Sequence, residues 1–286
     1  MNAIIMAAGT ASRFVPLSEE TPKGLLEVRG EILIERQIKQ LQEAGVSDIT
    51  IVLGYKAEMF QYLSSKCGVR LVYNEDYNLY NNTSSMIRVV DRLDDTFICC
   101  SDHYFKDNVF LDKAEDSYYA ALYAAGNTNE YCLTLDERDW VKDVQIGGQN
   151  AWYMAGHVFF NHLFSSRFRE IFVKEYEKEE TRQGYWEDVY MRHLLDLPMK
   201  AKKYDNGIIN EFDSIDELRC FDESYISDTR SSILKRVCEL LLCKEADLHT
   251  FKRIKHEGDY LLFSFMKGEE TYFYDERDAS VNRSSK

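Results

Sequence analysis

At 286 residues, 45% of them hydrophobic, the chain can bury a sizeable core and suits one large domain, alone or with an appendage. Its formal net charge of -14 excludes DNA or RNA as a partner, because phosphate backbones are held by clustered Lys and Arg. Three prolines and 14 glycines exclude a linker-rich or collagen-like chain. A triphosphate stays within reach of an acidic protein when a few cations and a metal ion are focused in one cleft. The seven cysteines are odd in number and form no C-x-x-C pair, which reads as reduced core thiols of a cytoplasmic protein. The apolar start over 1–9 is too short for a signal peptide and lacks a basic residue. No apolar run approaches the roughly 18 residues of a membrane span, so no membrane association is expected. The sequons at Asn81 and Asn82 then carry no meaning for glycosylation.

In chain order, 2–6 reads as a short buried strand running into Ala7-Ala8-Gly9-Thr10-Ala11-Ser12-Arg13. Leu33, Ile34, Ile38 and Leu41 recur with a helical period over 33–44, and Gly45 follows as a stop. Strands are predicted over 48–53, 69–73 and 96–100, and helices over 57–66 and 84–93. This β-α-β-α-β-α-β alternation predicts a mostly parallel, doubly wound Rossmann-like α/β sheet, with ligands beyond the carboxyl ends of the strands. The Gly9 loop and Asp102 both follow strands and should line that edge.

Strands are then predicted over 118–124, 131–135, 141–146 and 152–160, with turn signals at Gly126-Asn127 and Gly147-Gly148. Helices over 165–180 and 186–196 follow, then a strand over 199–204 and a short helix through Phe221 capped by Ser214. Polar residues over 222–232 mark a break. Beyond it, 233–243 reads as one amphipathic helix, and 260–266 with 271–274 as a small hairpin. The expected division is therefore a main domain over 1–228, a small α+β appendage over 229–278 and a disordered tail over 279–286. A lone hairpin is marginal unless packed, so the appendage should sit on the main domain or on a second subunit, which admits a homodimer.

Small residues after the first strand let backbone N–H groups approach phosphate oxygens, and Arg13 and Lys23 can neutralise a triphosphate and a departing pyrophosphate. A tight strand-to-helix turn would use the same small residues. Asp102 and Asp213 each follow an apolar strand, where turn formation or helix capping is the ordinary use of an Asp. Aromatic side chains stand beside carboxylates at Glu130-Tyr131 and at Tyr185-Trp186-Glu187-Asp188, as core or rim residues or as walls of a pocket for an organic cation.

The spacing A-A-G-x-x-S-R followed by Pro22-Lys23 resembles the sugar-phosphate and choline-phosphate nucleotidyltransferases, whose signature is a strand, A-A-G-x-G-[ST]-R, then P-K. Within that family it is most similar to the bacterial phosphocholine cytidylyltransferases, over roughly residues 1–222. Matching segments include Pro22-Lys23-Gly24-Leu25-Leu26, Val52-Leu53-Gly54-Tyr55, Tyr73-Asn74, Tyr80-Asn81-Asn82, Ser101-Asp102, Asn129-Glu130-Tyr131, Tyr185-Trp186-Glu187-Asp188 and Glu211-Phe212-Asp213. One position departs: the family's second loop glycine is Ala11, whose methyl would crowd the phosphates or demand a negative φ.

The resemblance implies CTP and a small phosphorylated amino-alcohol as partners, and Mg²⁺ held by Asp102 and Asp213, with Glu211 as a further carboxylate nearby. It implies a nucleotide site built from Ala7, Ala8, Gly9, Thr10, Ala11 and Ser12, with cytosine resting near Ala7 and Ala8. Asn82 and Ser84 would face the polar edge of the base, although Asn81-Asn82-Thr83-Ser84 also reads as a capped turn. Glu130, Tyr131, Tyr185, Trp186 and Asp188 would surround choline. A phosphomonoester is largely dianionic at neutral pH and needs no general base. Catalysis is then positioning plus neutralisation, with Lys23 on the developing charge and Arg13 on the β- and γ-phosphates. The expected products are CDP-choline and pyrophosphate. 2-Aminoethylphosphonate could use the same carboxylates, and a sugar phosphate would want more hydroxyl-directed Asn, Gln and Asp. Ala11 also raises a catalytically silent nucleotide-binding protein; the joint presence of Arg13, Lys23, Asp102 and Asp213 counts against it. Residues 233–274 carry a weaker resemblance to the opening of a choline-kinase-type N-lobe, without catalytic loop or C-lobe, so no kinase activity is expected.

Overall fold

The computed structural model describes residues 1–111, 114–258 and 260–284. They form two compact units, each assembled from two stretches of chain: Met1–Gly9 with Ile34–Asn210, and Thr10–Leu33 with Glu211–Lys286.

The first unit is built on a seven-stranded sheet of β1 (Asn2–Ala7), β2 (Ile49–Leu53), β3 (Arg70–Tyr73), β4 (Thr96–Cys100), β5 (Tyr118–Leu135), β6 (Val141–Phe160) and β7 (Lys200–Lys203). The order is β7-β5-β6-β4-β1-β2-β3. β1 is parallel to β2 and β4, β2 to β3, and β5 to β7, while β6 runs antiparallel to both β4 and β5. Ile4, Ile5, Ile51 and Val52 are fully buried, as continuous apolar runs covered on both faces require. The helix Leu33–Glu43 turns Leu33, Ile34, Ile38 and Leu41 inward, and Gly45, at φ +82°, follows it.

Several expected elements differ in extent. The four strands predicted over 118–160 are two long ones. Gly126 (φ +91°) and Gly147 (φ +82°) lie inside them, at irregularities of register rather than at turns. A glycine at positive φ absorbs an extra residue in a ladder without breaking it. The reversal sits at Asp136, whose Oδ1 accepts from the N–H of Arg138 (2.9 Å) and Trp140 (3.0 Å). The helix expected over 84–93 divides into Thr83–Ile87 and a 3-10 turn Val90–Arg92, and that over 57–66 into Ala57–Phe60 and Tyr62–Cys67. The helix expected over 165–180 is His162–Glu175, capped by Asn161, whose side chain accepts from Phe164 N–H; Glu179–Gln183 is a separate turn. Phe160, Phe164, Phe168 and Phe172 pack with Trp186 and Tyr190 in the core.

The second unit joins 10–33 to the C-terminal region, a division unlike one drawn near residue 228. The reason is a set of bonds between the two stretches. Asp222 accepts from Arg29 N–H (2.7 Å), Tyr225 donates to Glu27 O (2.8 Å), and Arg29 lies 3.9 Å over the Phe221 ring. Glu20 accepts from Ser232 N–H (2.7 Å), and Arg253 is ion-paired with Glu19. The expected hairpin is part of a four-stranded antiparallel sheet, β8 (Leu248–Arg253), β9 (Leu262–Lys267), β10 (Glu270–Asp275) and β11 (Ser280–Arg283), in that order. β11 corrects the expectation of a disordered tail for 280–283, because its backbone pairs with β10; 285 and 286 lie outside the described residues. None of the seven cysteines is in a disulfide. Among the described residues no helix is long and apolar enough to cross a membrane.

Candidate active site

β1 delivers Ala7 and Ala8, both buried, to an exposed Gly9. Ala8 O accepts from Tyr55 N–H at 3.1 Å, which fixes the start of the loop against the end of β2. Gly54 makes that approach feasible: a methyl there would stand 2.5 Å from Tyr77 Cβ and 2.8 Å from Ala8 O. At Ala11 the backbone is left-handed, φ +47° and ψ +44°. Of the two alternatives for the Ala11 methyl, the negative φ is not the one adopted. The turn that projects Arg13 dictates the conformation, and the methyl is accommodated at a steric cost.

In the second unit Arg13 Nη1 lies 2.7 Å from Asp213 Oδ2, and Lys23 Nζ lies 3.7 Å from Glu211 Oε1. Lys23 is almost covered, its ammonium 5.7 Å from the Phe14 ring, whereas the Arg13 side chain is 75% exposed. Pro22 sets the chain for the Lys23–Leu25 turn. Asp213 is positioned by its N–H, which donates to Glu217 Oε2 (2.8 Å), and Glu217 N–H in turn donates to Ser214 Oγ (3.1 Å). Burial and the neighbouring Glu211 raise the Asp213 carboxyl above its ordinary value, against the opposing pull of Arg13 and Lys23. Two cations and two carboxylates from positions nearly two hundred residues apart thus form one cluster.

In the first unit Asp102 follows β4 and its side chain lies beside Cys100 and His103. Gln37, fully buried, donates from Nε2 to both Cys100 O (2.9 Å) and His103 O (2.8 Å) and so fixes this turn. Nothing in local sequence marks Gln37 for that task beyond an amide on the inner face of an amphipathic helix.

The expected base-reading residues are engaged within the fold. Ser84 is fully buried, its hydroxyl donating to Asn81 O (2.8 Å) and accepting from Asn74 Nδ2 (2.9 Å), so it shapes the turn. Asn82 Oδ1 accepts from Trp186 N–H (2.8 Å) and its Nδ2 donates to Glu187 Oε2 (3.2 Å). Asn82 therefore caps the helix Trp186–Arg192 and not its own.

The acceptor segments meet. Tyr131 Oη lies 3.5 Å from Asp188 Oδ1, and Asp188 Oδ2 accepts from Tyr185 N–H (2.7 Å). Burial, together with Asp188 and Glu187, pushes the Tyr131 hydroxyl up to about 12. Glu187 accepts from Tyr119 Oη (3.2 Å), and desolvation pushes its carboxyl up to about 7. Glu187 is a member of this cluster that an emphasis on Asp188 passes over, although the adjacent acidic pair was visible in the sequence. Glu130 is exposed, and strand alternation turns it to the face opposite Tyr131. Trp186 is corrected as a wall of an open pocket. It is 3% exposed, stacked on Tyr119 at 5.9 Å and edge-on to Phe160 and Phe168, because the apolar face of its helix covers the sheet.

Residues 3–145 match the MobA-like NTP transferase domain. The chain is 33% identical over 223 residues to the choline-phosphate cytidylyltransferase of Streptococcus pneumoniae, covering 78% of this chain and 97% of that one. It is 35% identical over 234 residues to the 2-aminoethylphosphonate cytidylyltransferase of Lancefieldella rimae, covering 80% and 95%. The solved structure of the CTP:phosphocholine cytidylyltransferase from Streptococcus pneumoniae superposes with a TM-score of 0.75 at 33% identity, over 78% of this chain and 98% of that one. With whole enzymes matched nearly end to end on the same sheet, the chain belongs to the nucleotidyltransferases of the MobA-like NTP transferase domain, in the cytidylyltransferase group that includes the choline-phosphate enzymes.

Proposed function

We propose that the chain transfers CMP from CTP to phosphocholine, giving CDP-choline and pyrophosphate. The observation that carries this reading is the cluster of Tyr131, Tyr185, Glu187 and Asp188, tyrosines beside two carboxylates, in a chain homologous to choline-phosphate cytidylyltransferases. A trimethylammonium group donates no ordinary hydrogen bond and is held by aromatic faces and negative charge.

A phosphate oxygen of the acceptor attacks the α-phosphorus of CTP, a new P–O bond forms, and the bond to the bridging oxygen breaks to release pyrophosphate. The nucleophile is already anionic, so the chain supplies position and charge. Lys23, held in place by burial, faces the developing negative charge at the α-phosphate. Arg13, exposed and ion-paired with Asp213, exchanges that carboxylate for the β- and γ-phosphates. Backbone N–H groups over 9–13 approach the phosphates closely because no bulky side chain intervenes.

The residues fit a magnesium ion. Asp213 keeps a raised carboxyl beside Glu211, so a cation is accommodated there, and carboxylate oxygens suit a hard ion. Asp102 and Asp213 would hold it. When bound, magnesium supplies charge stabilisation at a phosphoryl oxygen.

The Lancefieldella rimae relative supports a second reading, 2-aminoethylphosphonate as acceptor. A primary ammonium donates hydrogen bonds, which Glu187 and Asp188 can accept. Pyrophosphate release with CTP decides: phosphocholine should exceed 2-aminoethylphosphonate and sugar 1-phosphates in kcat/KM. A reversed order replaces the acceptor, and no release with any acceptor refutes the reading.

A further inference from the structure

We propose that Cys100, Asp102 and His103 form a binding site for a thiophilic divalent cation of the zinc class. One sulfur, one carboxylate oxygen and one imidazole nitrogen from these residues lie within 4.8 Å of one another. Donors about 2.0–2.3 Å from a tetrahedral ion stand about 3.3–3.8 Å apart, so rotamer changes at Cys100 and Asp102 of about an ångström close the set. Both side chains are partly exposed, while His103 is buried.

The frame around them is already rigid. Gln37 grips the carbonyls at both ends of the turn, at 2.9 Å and 2.8 Å. The His103 ring rests on Gly156, where an added methyl would stand 2.5 Å from Cε1, and its edge meets Phe105 at 5.7 Å. Cys100 closes β4, and the turn that follows, closed by His103 N–H on Cys100 O at 3.4 Å, brings Asp102 and His103 back beside it. Sulfur and nitrogen donors favour zinc-class ions, and magnesium gains nothing from them. Binding ionises the thiol and releases its proton. Three protein donors leave a fourth position for water or a phosphate oxygen.

One consequence rests on the proposed role of Asp102 in nucleotidyl transfer: a zinc-class ion withdraws that carboxylate from the reaction and inhibits it, reversibly on chelation. Binding itself does not depend on that role, so the two readings fail separately.

The test titrates the full-length, metal-free chain with Co²⁺ alone, reading thiolate-to-cobalt charge-transfer absorbance, and with Zn²⁺ against a chromophoric chelator. One ion per chain and a charge-transfer band are expected. Cys100→Ser, nearly isosteric, should abolish the band and weaken Zn²⁺ by at least about 10-fold. Asp102→Asn, read by the same chelator competition, should weaken Zn²⁺ similarly while the band persists. A band retained in Cys100→Ser, or equal Zn²⁺ affinity in wild type and both variants, overturns the site. Should the site bind while Asp102→Asn keeps full turnover, the inhibitory consequence fails and the site stands.

Discussion

Arg13 Nη1 stands 2.7 Å from Asp213 Oδ2, across two hundred positions of chain. The pair links the residue expected to hold the departing phosphates to one expected to hold a metal ion. A carboxylate already engaged by a guanidinium must exchange that partner for a cation, and the guanidinium must exchange the carboxylate for phosphate. With side chains 75% and 38% exposed, the pair contributes under about 1 kcal/mol to stability. Arg13→Ala should therefore lower turnover by about 10²-fold while leaving the melting temperature nearly unchanged. Pyrophosphate release and a thermal melt on the same preparation check this. Unchanged turnover would remove Arg13 from the reaction.

Ala11 occupies a left-handed backbone, φ +47°. Its methyl costs about 1–2 kcal/mol there, and glycine's larger unfolded-state entropy offsets part of the gain. Ala11→Gly should stabilise the chain by about 0.5–1 kcal/mol, seen as a higher urea midpoint at unchanged slope. A lower midpoint would mean that the methyl makes contacts outweighing the strain.

Gly54 lies under Tyr77 and against Ala8 O, with 2.5 Å and 2.8 Å available to a methyl. The second contact is backbone, which a rotamer change cannot relieve. Gly54→Ala should cost about 1–3 kcal/mol and shift the Ala8–Gly9 turn, lowering kcat/KM for CTP more than for the acceptor. Equal losses for both substrates would argue against a nucleotide-specific role for this turn.

Glu187 carries a carboxyl raised by desolvation to about 7 from about 4.5. Between those values the folded chain binds more protons than the unfolded one, so stability falls as pH rises through that window and levels off above it. Glu187→Gln keeps an acceptor for Asn82 Nδ2, turns the other atom into a donor to the Tyr119 hydroxyl, and removes the slope. It should gain on the order of 1–2 kcal/mol at pH 8, discounted for partial exposure, and nothing below pH 4.5. It should also raise KM for a cationic acceptor. Denaturation at a series of pH values, with acceptor KM at pH 8, reads both effects.

Arg219, nearly buried, donates to Tyr225 O (3.2 Å), Leu248 O (2.5 Å) and Glu245 O (2.9 Å). It ties the helix after Asp213 to β8, which lies against the Ser12–Phe14 turn. Ending the chain after residue 228 should therefore destabilise the Arg13–Asp213 unit and abolish turnover. Arg219→Met should lose about 3–5 kcal/mol, because three carbonyls are left without their shared donor. A fully active, equally stable truncated chain would return the C-terminal sheet to the status of an independent appendage.

Short-range pattern was enough for the parallel strands, because Ile4-Ile5, Ile51-Val52 and Phe97-Ile98 are apolar runs whose burial any close-packed α/β sheet demands. It was enough for the Ser214 cap as well, since that hydroxyl acts on Glu217 N–H within one turn. The nucleotidyltransferase family was legible in the loop of Gly9 and in Pro22-Lys23, where chemistry confines residue type and spacing. Tertiary structure alone decided that 10–33 belongs with the C-terminal sheet, that Trp186 faces the core while Tyr185 stays outside, and that Gly126 and Gly147 are bulges inside long strands. It also decided that Asn82 caps a helix a hundred residues away. Local periodicity reports how one segment is wetted, whereas these outcomes depend on which distant segment covers it, and that is set by topology.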